Sequence, residues 1–182
     1  MRVLGIDPGL RITGYACVEG AGRRLVEAGV IRLGGGAAKR GEKGGARDAS
    51  GGAGDRARAS ELLAARLMEL DADVREVLER LKPEAAAVEA LFAHYKHPAT
   101  AIGMAHARGV ILLNVRRAGI RLVEFRPNAV KKFLTGHGHA GKVQMQDAVR
   151  DRLGLSARPE PADVADAIAI ALCGSWRLAS AT

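Results

Sequence analysis

The chain has 182 residues with 28 Lys plus Arg against 20 Asp plus Glu, a formal charge of +8, so it is long enough for one domain whose core needs neither disulfides nor structural metal. Its two cysteines, Cys17 and Cys173, lie far apart among apolar residues, which excludes a secreted disulfide framework and predicts reduced core side chains. No apolar run approaches bilayer-spanning length and no basic-then-apolar leader opens the sequence, so a soluble, cytoplasmic protein is expected, with no membrane partner.

In chain order, Val3, Leu4 and Ile6 make a short apolar strand that ends on Asp7, and Pro8-Gly9 turns the chain back antiparallel. One reading of Asp-Pro-Gly is turn chemistry alone, with the Asp7 carboxylate bonding backbone amides and Gly9 at positive φ. The other is a carboxylate aimed outward from a strand end. Residues 14–19 (GYACVE) and 24–33 (RLVEAGVIRL) complete a three-stranded antiparallel meander. Residues 34–58 hold nine glycines and neither a branched aliphatic nor an aromatic residue, so they cannot offset their ordering entropy and read as a flexible loop or insertion. Their mixed charge leaves an arm that orders on nucleic acid as a second option.

Ser60 is placed to cap the next helix, whose apolar stripe runs through Leu63, Leu67, Leu70, Val74, Val77 and Leu81 until Pro83 stops it. Ala85 to Val88 form a short strand finishing at Glu89, and residues 90–98 are a loop. The helix predicted at 99–117 is apolar on more than one face, which calls for a second packing surface such as a subunit interface. A strand at 120–125, a short helix from Pro127 to Leu134, a glycine-rich loop at 135–141, a helix from Lys142 to Leu153 and a last helix from Ala162 to about Leu178 follow. The expected architecture is a single α/β domain over 1–182, a mixed sheet covered by helices.

Four acids recur at element ends. Asp7 and Glu89 close strands, while Asp163 and Asp166, three apart, project from one face of a helix start. For the helix pair, N-terminal capping is a sufficient explanation by itself, since carboxylates favour the positive helix end. Against it, Ala162, Ala165, Ala167 and Ala169 would let that helix approach a sheet closely. Carboxylates that converge raise one another's pKa unless a cation neutralises them, and oxygen-only ligands select hard ions such as Mg²⁺ or Mn²⁺. Between His94 and Gly154 stand eleven basic and three acidic residues, so one third of the chain carries a surplus equal to that of the whole. A solvated surface would account for it, as would a polyanionic partner. Acids and basic surface together read as a metal-dependent nuclease acting through a pair of ions about 4 Å apart. His137 and His139 flank Gly138, but no cysteine or second His cluster stands at zinc spacing, so DNA contact or plain loop roles are expected of them.

Gly5-Ile6-Asp7-Pro8-Gly9 with Thr13-Gly14, Val88-Glu89 followed by Phe92, Ala107-Arg108-Gly109, and Asp163-Val164-Ala165-Asp166-Ala167 resemble, in this order, the bacterial RuvC crossover junction endodeoxyribonuclease family. The resemblance covers nearly the whole chain. It implies a ribonuclease H-like fold with a five-stranded mixed sheet, and paired symmetric nicking of four-way (Holliday) DNA junctions in homologous recombination and DNA repair. It further implies two Mg²⁺ or Mn²⁺ ions held by Asp7, Glu89, Asp163 and Asp166, a homodimer formed through the helix at about 99–117, and a RuvA/RuvB branch-migration partnership. Phe92 falls where the family stacks an aromatic on junction bases, although a core phenylalanine is the simpler reading of that residue alone. Lys131 and Lys142 fall on basic positions beside the active site, where they would contact DNA phosphates; a solvated helix face is the simpler reading of each. The connection at 34–58 is longer than the family's usual one, so no role is borrowed for it. Three rivals share parts of the pattern: an actin-like or sugar-kinase ATPase, for which the chain is too short and lacks a second phosphate loop; a related enzyme cutting RNA or RNA–DNA hybrid; and a junction-binding module without chemistry.

Overall fold

The computed structural model describes residues 1–34, 53–91 and 98–180. Five strands, β1 (Arg2–Asp7), β2 (Ile12–Glu19), β3 (Arg24–Arg32), β4 (Ala85–Glu89) and β5 (Arg121–Phe125), form one sheet in the order β3-β2-β1-β4-β5. The meander β1-β2-β3 is antiparallel, whereas β4 joins β1 in parallel and β5 joins β4 in parallel. The helices are α1 (Ala53–Leu81), α2 (Pro98–Arg117), α3 (Pro127–Thr135), α4 (Lys142–Leu153) and α5 (Ala162–Ala179). This is the predicted mixed α/β sheet, with element ends within one or two residues of expectation everywhere except at the start of α1. Among the described residues no helix is long and apolar enough to cross a membrane.

Strand alternation divides the core in two. Val3, Ala16, Val18, Ala85 and Ala87 face α5 and, through it, Val130 of α3 and Met145 and Val149 of α4. Leu4, Ile6, Cys17, Ala86 and Val88 face the other way, onto the α1 stripe (Leu70, Val74, Val77, Leu81) and the α2 residues Ala107, Ile111 and Val115. Asn114, buried between the two helices, donates to Asp71 (3.0 Å) and to the Val110 carbonyl (3.0 Å) and accepts from Arg75 (3.3 Å), tying α2 to α1. Both cysteines are free and buried, as the sequence predicts.

Two local expectations are corrected. Helix α1 begins at Ala53, so residues 53–58 are helical and Ser60 lies inside the helix, where it cannot be the N-cap. Lack of branched aliphatic residues argues only against burial: Ala and Arg are good helix formers, and extending a helix already packed further along costs little. The remainder of the predicted insertion, 35–52, lies outside the described residues. At the β1–β2 turn, Gly9 is not among the glycines of positive φ. Glycine is needed there for room, because a Cβ would stand 2.0 Å from the Ile12 carbonyl oxygen. The turn is closed by Thr13, fully buried, whose hydroxyl donates to the Gly9 carbonyl (2.7 Å) and accepts from the Gly9 amide (3.2 Å).

Helix α5 lies unusually close to the sheet. A Cβ on Gly5 of β1 would meet the Ala167 carbonyl at 2.3 Å and the Ala171 nitrogen at 2.4 Å, one on Gly14 of β2 would meet the Asp163 carbonyl at 2.2 Å, and one on Gly174 of α5 would meet the Ala87 Cβ at 2.7 Å. Glycines on both surfaces, with Ala165, Ala167, Ala169 and Ala171 on the helix, bring backbone against backbone. Overpacking such a contact forces a backbone shift. We therefore expect Gly5→Ala to lower unfolding free energy by roughly 1–3 kcal/mol in urea titrations. Gly34→Ala, with nothing near its Cβ, should stay within about 0.5 kcal/mol of the parent; equal stability of the two variants would refute the close-contact argument.

Candidate active site

The parity of β1 and β4 decides where their terminal acids point. In β1, Val3 and Gly5 face α5 while Leu4 and Ile6 face α1 and α2, so Asp7 continues the α5 side. In β4 the same alternation puts Ala85 and Ala87 toward α5, and Glu89 with them. The strands are parallel with Ile6 opposite Val88, which makes Asp7 and Glu89 the next residues on two neighbouring strands, roughly 4.8 Å apart in the ladder. On the other flank, Gly14 pairs with Asp7 across the β1–β2 ladder and takes the backbone of Asp163 directly against it. The first turn of α5 therefore begins above the end of β1. Both of its acids enter the same electrostatic neighbourhood.

The charges bear this out. Burial is the largest influence on Asp7 and pushes its pKa up to about 8, reinforced by the negative charges of Glu89, Asp166 and Asp163 and opposed by Lys142. Glu89 is pushed up to about 7, first by burial and then by Asp166, against the pull of Lys131. Burial also raises Asp166, with Lys131 and Lys142 drawing it down and Asp163 pushing it up. All four predicted acids thus interact, and the predicted lysines Lys131 of α3 and Lys142, the first residue of α4, are the cations that act on them. Asp7 and Glu89 line a cleft of about 260 Å³ with Pro8, Met104 of α2 and Pro127 of α3; Asp163 and Asp166 lie outside that lining. Among the described residues no three His, Cys, Asp or Glu side chains stand close enough together to enclose an ion. The donor set nonetheless fits a hard divalent cation: it is all carboxylate oxygen, partly desolvated, and carries more negative charge than its two lysines balance.

Phe92, with His94, Tyr95, Lys96 and His97, lies outside the described residues. Two contributors had no role assigned from the sequence. Thr13 pins the turn that follows Asp7. Arg108 of α2 reaches across to the end of β4, donating from Nε to the Glu89 carbonyl at 3.4 Å while its guanidinium pairs with Glu124. Ala107-Arg108-Gly109 stands among the motifs of the family resemblance, but only the strand order reveals what Arg108 reaches. The entry into α5 is held from α4, where Asp147 accepts two bonds from Arg158 (2.6 and 2.8 Å) and Gln146 donates to the Pro159 carbonyl (2.9 Å).

The crossover junction endodeoxyribonuclease RuvC family model matches residues 3–41 and 55–174, leaving out a stretch inside the predicted insertion. A curated RuvC from Rhodopirellula baltica is 43% identical over 176 residues, covering 96% of this chain and 85% of the relative; one from Moorella thermoacetica is 39% identical, covering 97% and 95%. Among solved structures, the chain is similar to Thermus thermophilus RuvC in complex with Holliday junction substrate, with TM-score 0.74, 32% identity and coverage of 100% and 97%. The yeast mitochondrial Holliday junction resolvase Ydc2, at 14% identity and TM-score 0.55, shares the fold.

Asp7 and Glu89 bind protons more tightly in the folded chain than at their ordinary values of 3.8 and 4.5. The unfolded chain gives up those protons first, so metal-free stability is complete below about pH 4 and is lost as pH rises through about 7 to 8. In EDTA, Tm should fall between about pH 5 and 8, and Asp7→Asn should flatten the slope. Adding Mg²⁺ should restore Tm at the alkaline end. A parent slope no steeper than the variant's would rule out the buried, coupled carboxylates.

Proposed function

The chain belongs to the RuvC family of crossover junction endodeoxyribonucleases, and on that footing we propose that Asp7, Glu89, Asp163 and Asp166 are the metal-holding catalytic acids of a four-way junction resolvase. The enzyme nicks Holliday junctions, a hydrolysis of phosphodiester bonds, in recombination and repair. The single observation that carries the assignment of the acids is their electrostatic coupling at two adjoining strand ends and one helix start.

The protein's part in the reaction follows from the geometry. Asp7, which feels the charges of the other three acids, would hold the metal together with Glu89 from the neighbouring strand and Asp163 and Asp166 from α5. A pair of Mg²⁺ or Mn²⁺ ions held there would supply an activated water and charge stabilisation for the leaving oxygen. Lys131 and Lys142 counter the charge of the acids, so they can hold phosphate oxygens of the cut strand where the carboxylates alone would repel them. Phe92 stacks on an unpaired base at the branch point.

Paired symmetric nicks require two active sites related by a two-fold axis, which a homodimer supplies. Helix α2 is the proposed interface: Ile102 and Leu113 are large apolar side chains left exposed, on the same side of the helix as exposed His106 and Gly109. The partnership with RuvA/RuvB rests on the family resemblance alone. Ile102→Asp is expected to shift the protein from dimer to monomer in sedimentation at micromolar concentration and to uncouple the two nicks. An unchanged dimer would move the interface elsewhere.

Incubating four-way junction, plain duplex and RNA–DNA hybrid with Mg²⁺, Mn²⁺ or EDTA tests the whole reading on one gel. Nicks confined to the junction and dependent on metal are expected. Asp7→Asn should lower cleavage by roughly 10³-fold or more while junction affinity holds or improves, because a ligand and a negative charge beside phosphate are both removed. Phe92→Ala should cost more on intact than on pre-opened junctions. Nicking retained by pure Asp7→Asn protein would overturn the ligand assignment.

A further inference from the structure

The wall that carries Asp7 continues into a second cavity. Asp7 and Pro8 line the acid cleft, the next residues, Gly9 to Ile12, line a neighbouring cavity of about 400 Å³, and Met104 lines both. Gly9 is two residues from Asp7, at most about 7 Å along an extended chain. The side chains that give this second cavity its chemistry are Arg11, on the β1–β2 turn, and Arg66, on α1. Among the described residues no acid lines it, and neither arginine takes part in an ion pair.

Arg66 Nε is buried and has no hydrogen-bond partner among the described residues. A desolvated guanidinium N–H without an acceptor costs free energy, and the group is planar, permanently charged and forked, a shape matched by two oxygens of one phosphate. Arg11 is exposed but sits on a held backbone: its carbonyl accepts from the Leu33 amide (3.0 Å), and the same turn is closed by Thr13 on Gly9. Leu10 and Met104 make the floor apolar, and Gly103 keeps it low, since a Cβ there would press on Leu10 Cδ2 at 3.1 Å. A pair of arginines without an ion-pair partner among the described residues, over an apolar floor and one step from the acids, is built to receive a sugar–phosphate backbone.

We propose that Arg66 and Arg11 bind a phosphate of the cut DNA strand adjoining the scissile one, so that the strand is registered on two points, the acid cluster and this cavity. The inference rests on the nuclease reading above and deepens it. Arg66 anchors and Arg11 closes over the same phosphate from the solvent side. Both are positioning residues and do not touch the reacting atoms.

The test uses full-length Asp7→Asn protein with Mg²⁺, measuring junction Kd against salt for Arg11→Gln, Arg66→Gln and the pair. Each single change should weaken binding about tenfold near 0.1 M salt, and the pair should reduce the slope of log K against log salt by about 1. Thermal melts establish that each variant is folded. A second arm keeps the arginines and places one methylphosphonate at a time on the phosphates flanking the cut. One position should weaken binding to the parent arginines yet cost nothing further in Arg11→Gln or Arg66→Gln. Unchanged Kd and slope in folded variants, or methylphosphonate losses that add to the arginine losses at every position, would overturn the proposal. Failure of the nuclease reading is separate, because it would show as wild-type protein that does not nick junctions in Mg²⁺.

Discussion

The contact on which the molecule depends is the close seating of α5 on the sheet, backbone against backbone at the first and second strands and through Gly174 against Ala87 of the fourth. Gly5, Gly14 and Gly174 leave no space for a side chain at three points along it, and the alanines of α5 fill the rest. A helix packed through larger residues would stand further off, and its first turn would carry Asp163 and Asp166 away from the strand ends. The glycines are therefore as much part of the site as the acids. This also explains why a largely buried helix begins at a charged point: α5 is buried along most of its length from Val164 onward, yet opens on two partly exposed carboxylates.

The remaining placements follow from sheet order. Because β4 inserts in parallel beside β1, two strands that are far apart in sequence end side by side, and their shared parity turns Asp7 and Glu89 to one face. Helices α3 and α4, which follow the last strand, pack beside α5 on that face and bring Lys131 and Lys142 with them. The long helices α1 and α2 occupy the other face. The acid cluster and the proposed dimer face of α2 thus lie on different sides of one sheet, with Arg108 and Met104 the points where α2 reaches back to the acid cleft.

Much of this was legible in the residues. The strand ending on Asp7, the stripe from Leu63 to Leu81, the strand ending on Glu89 and the small-residue start of α5 each carry a local pattern whose physical cause is local, and each was placed within a residue or two. What failed had a different origin. The start of α1 is fixed by propagation from a packed helix rather than by composition, so the absence of branched aliphatics before Ser60 gave the wrong boundary. Gly9 serves a steric need set by Ile12, three residues on, which a turn rule based on φ does not contain. The convergence of the acids, the reach of Arg108 to Glu89 and the cavity under Arg66 depend on strand order, and no periodicity in a single segment encodes them.

The charge pattern has one further consequence. A cluster of four carboxylates is the wrong surface to offer a polyanion, and burial makes it worse by weakening solvent screening. The folded chain answers in layers. Protons are held by Asp7 and Glu89 up to near neutral pH when no cation is present, Lys131 and Lys142 offset part of the charge, and a bound divalent cation would offset more. Because the cations come from elements that follow β5 and the acids from β1, β4 and α5, neither set is sufficient alone. Within the acid cleft a phosphate would be accepted where lysines, hard cation and carboxylates coincide, so the same electrostatics that would make the metal-free cleft reluctant to bind DNA would make a loaded one selective for where the strand must lie.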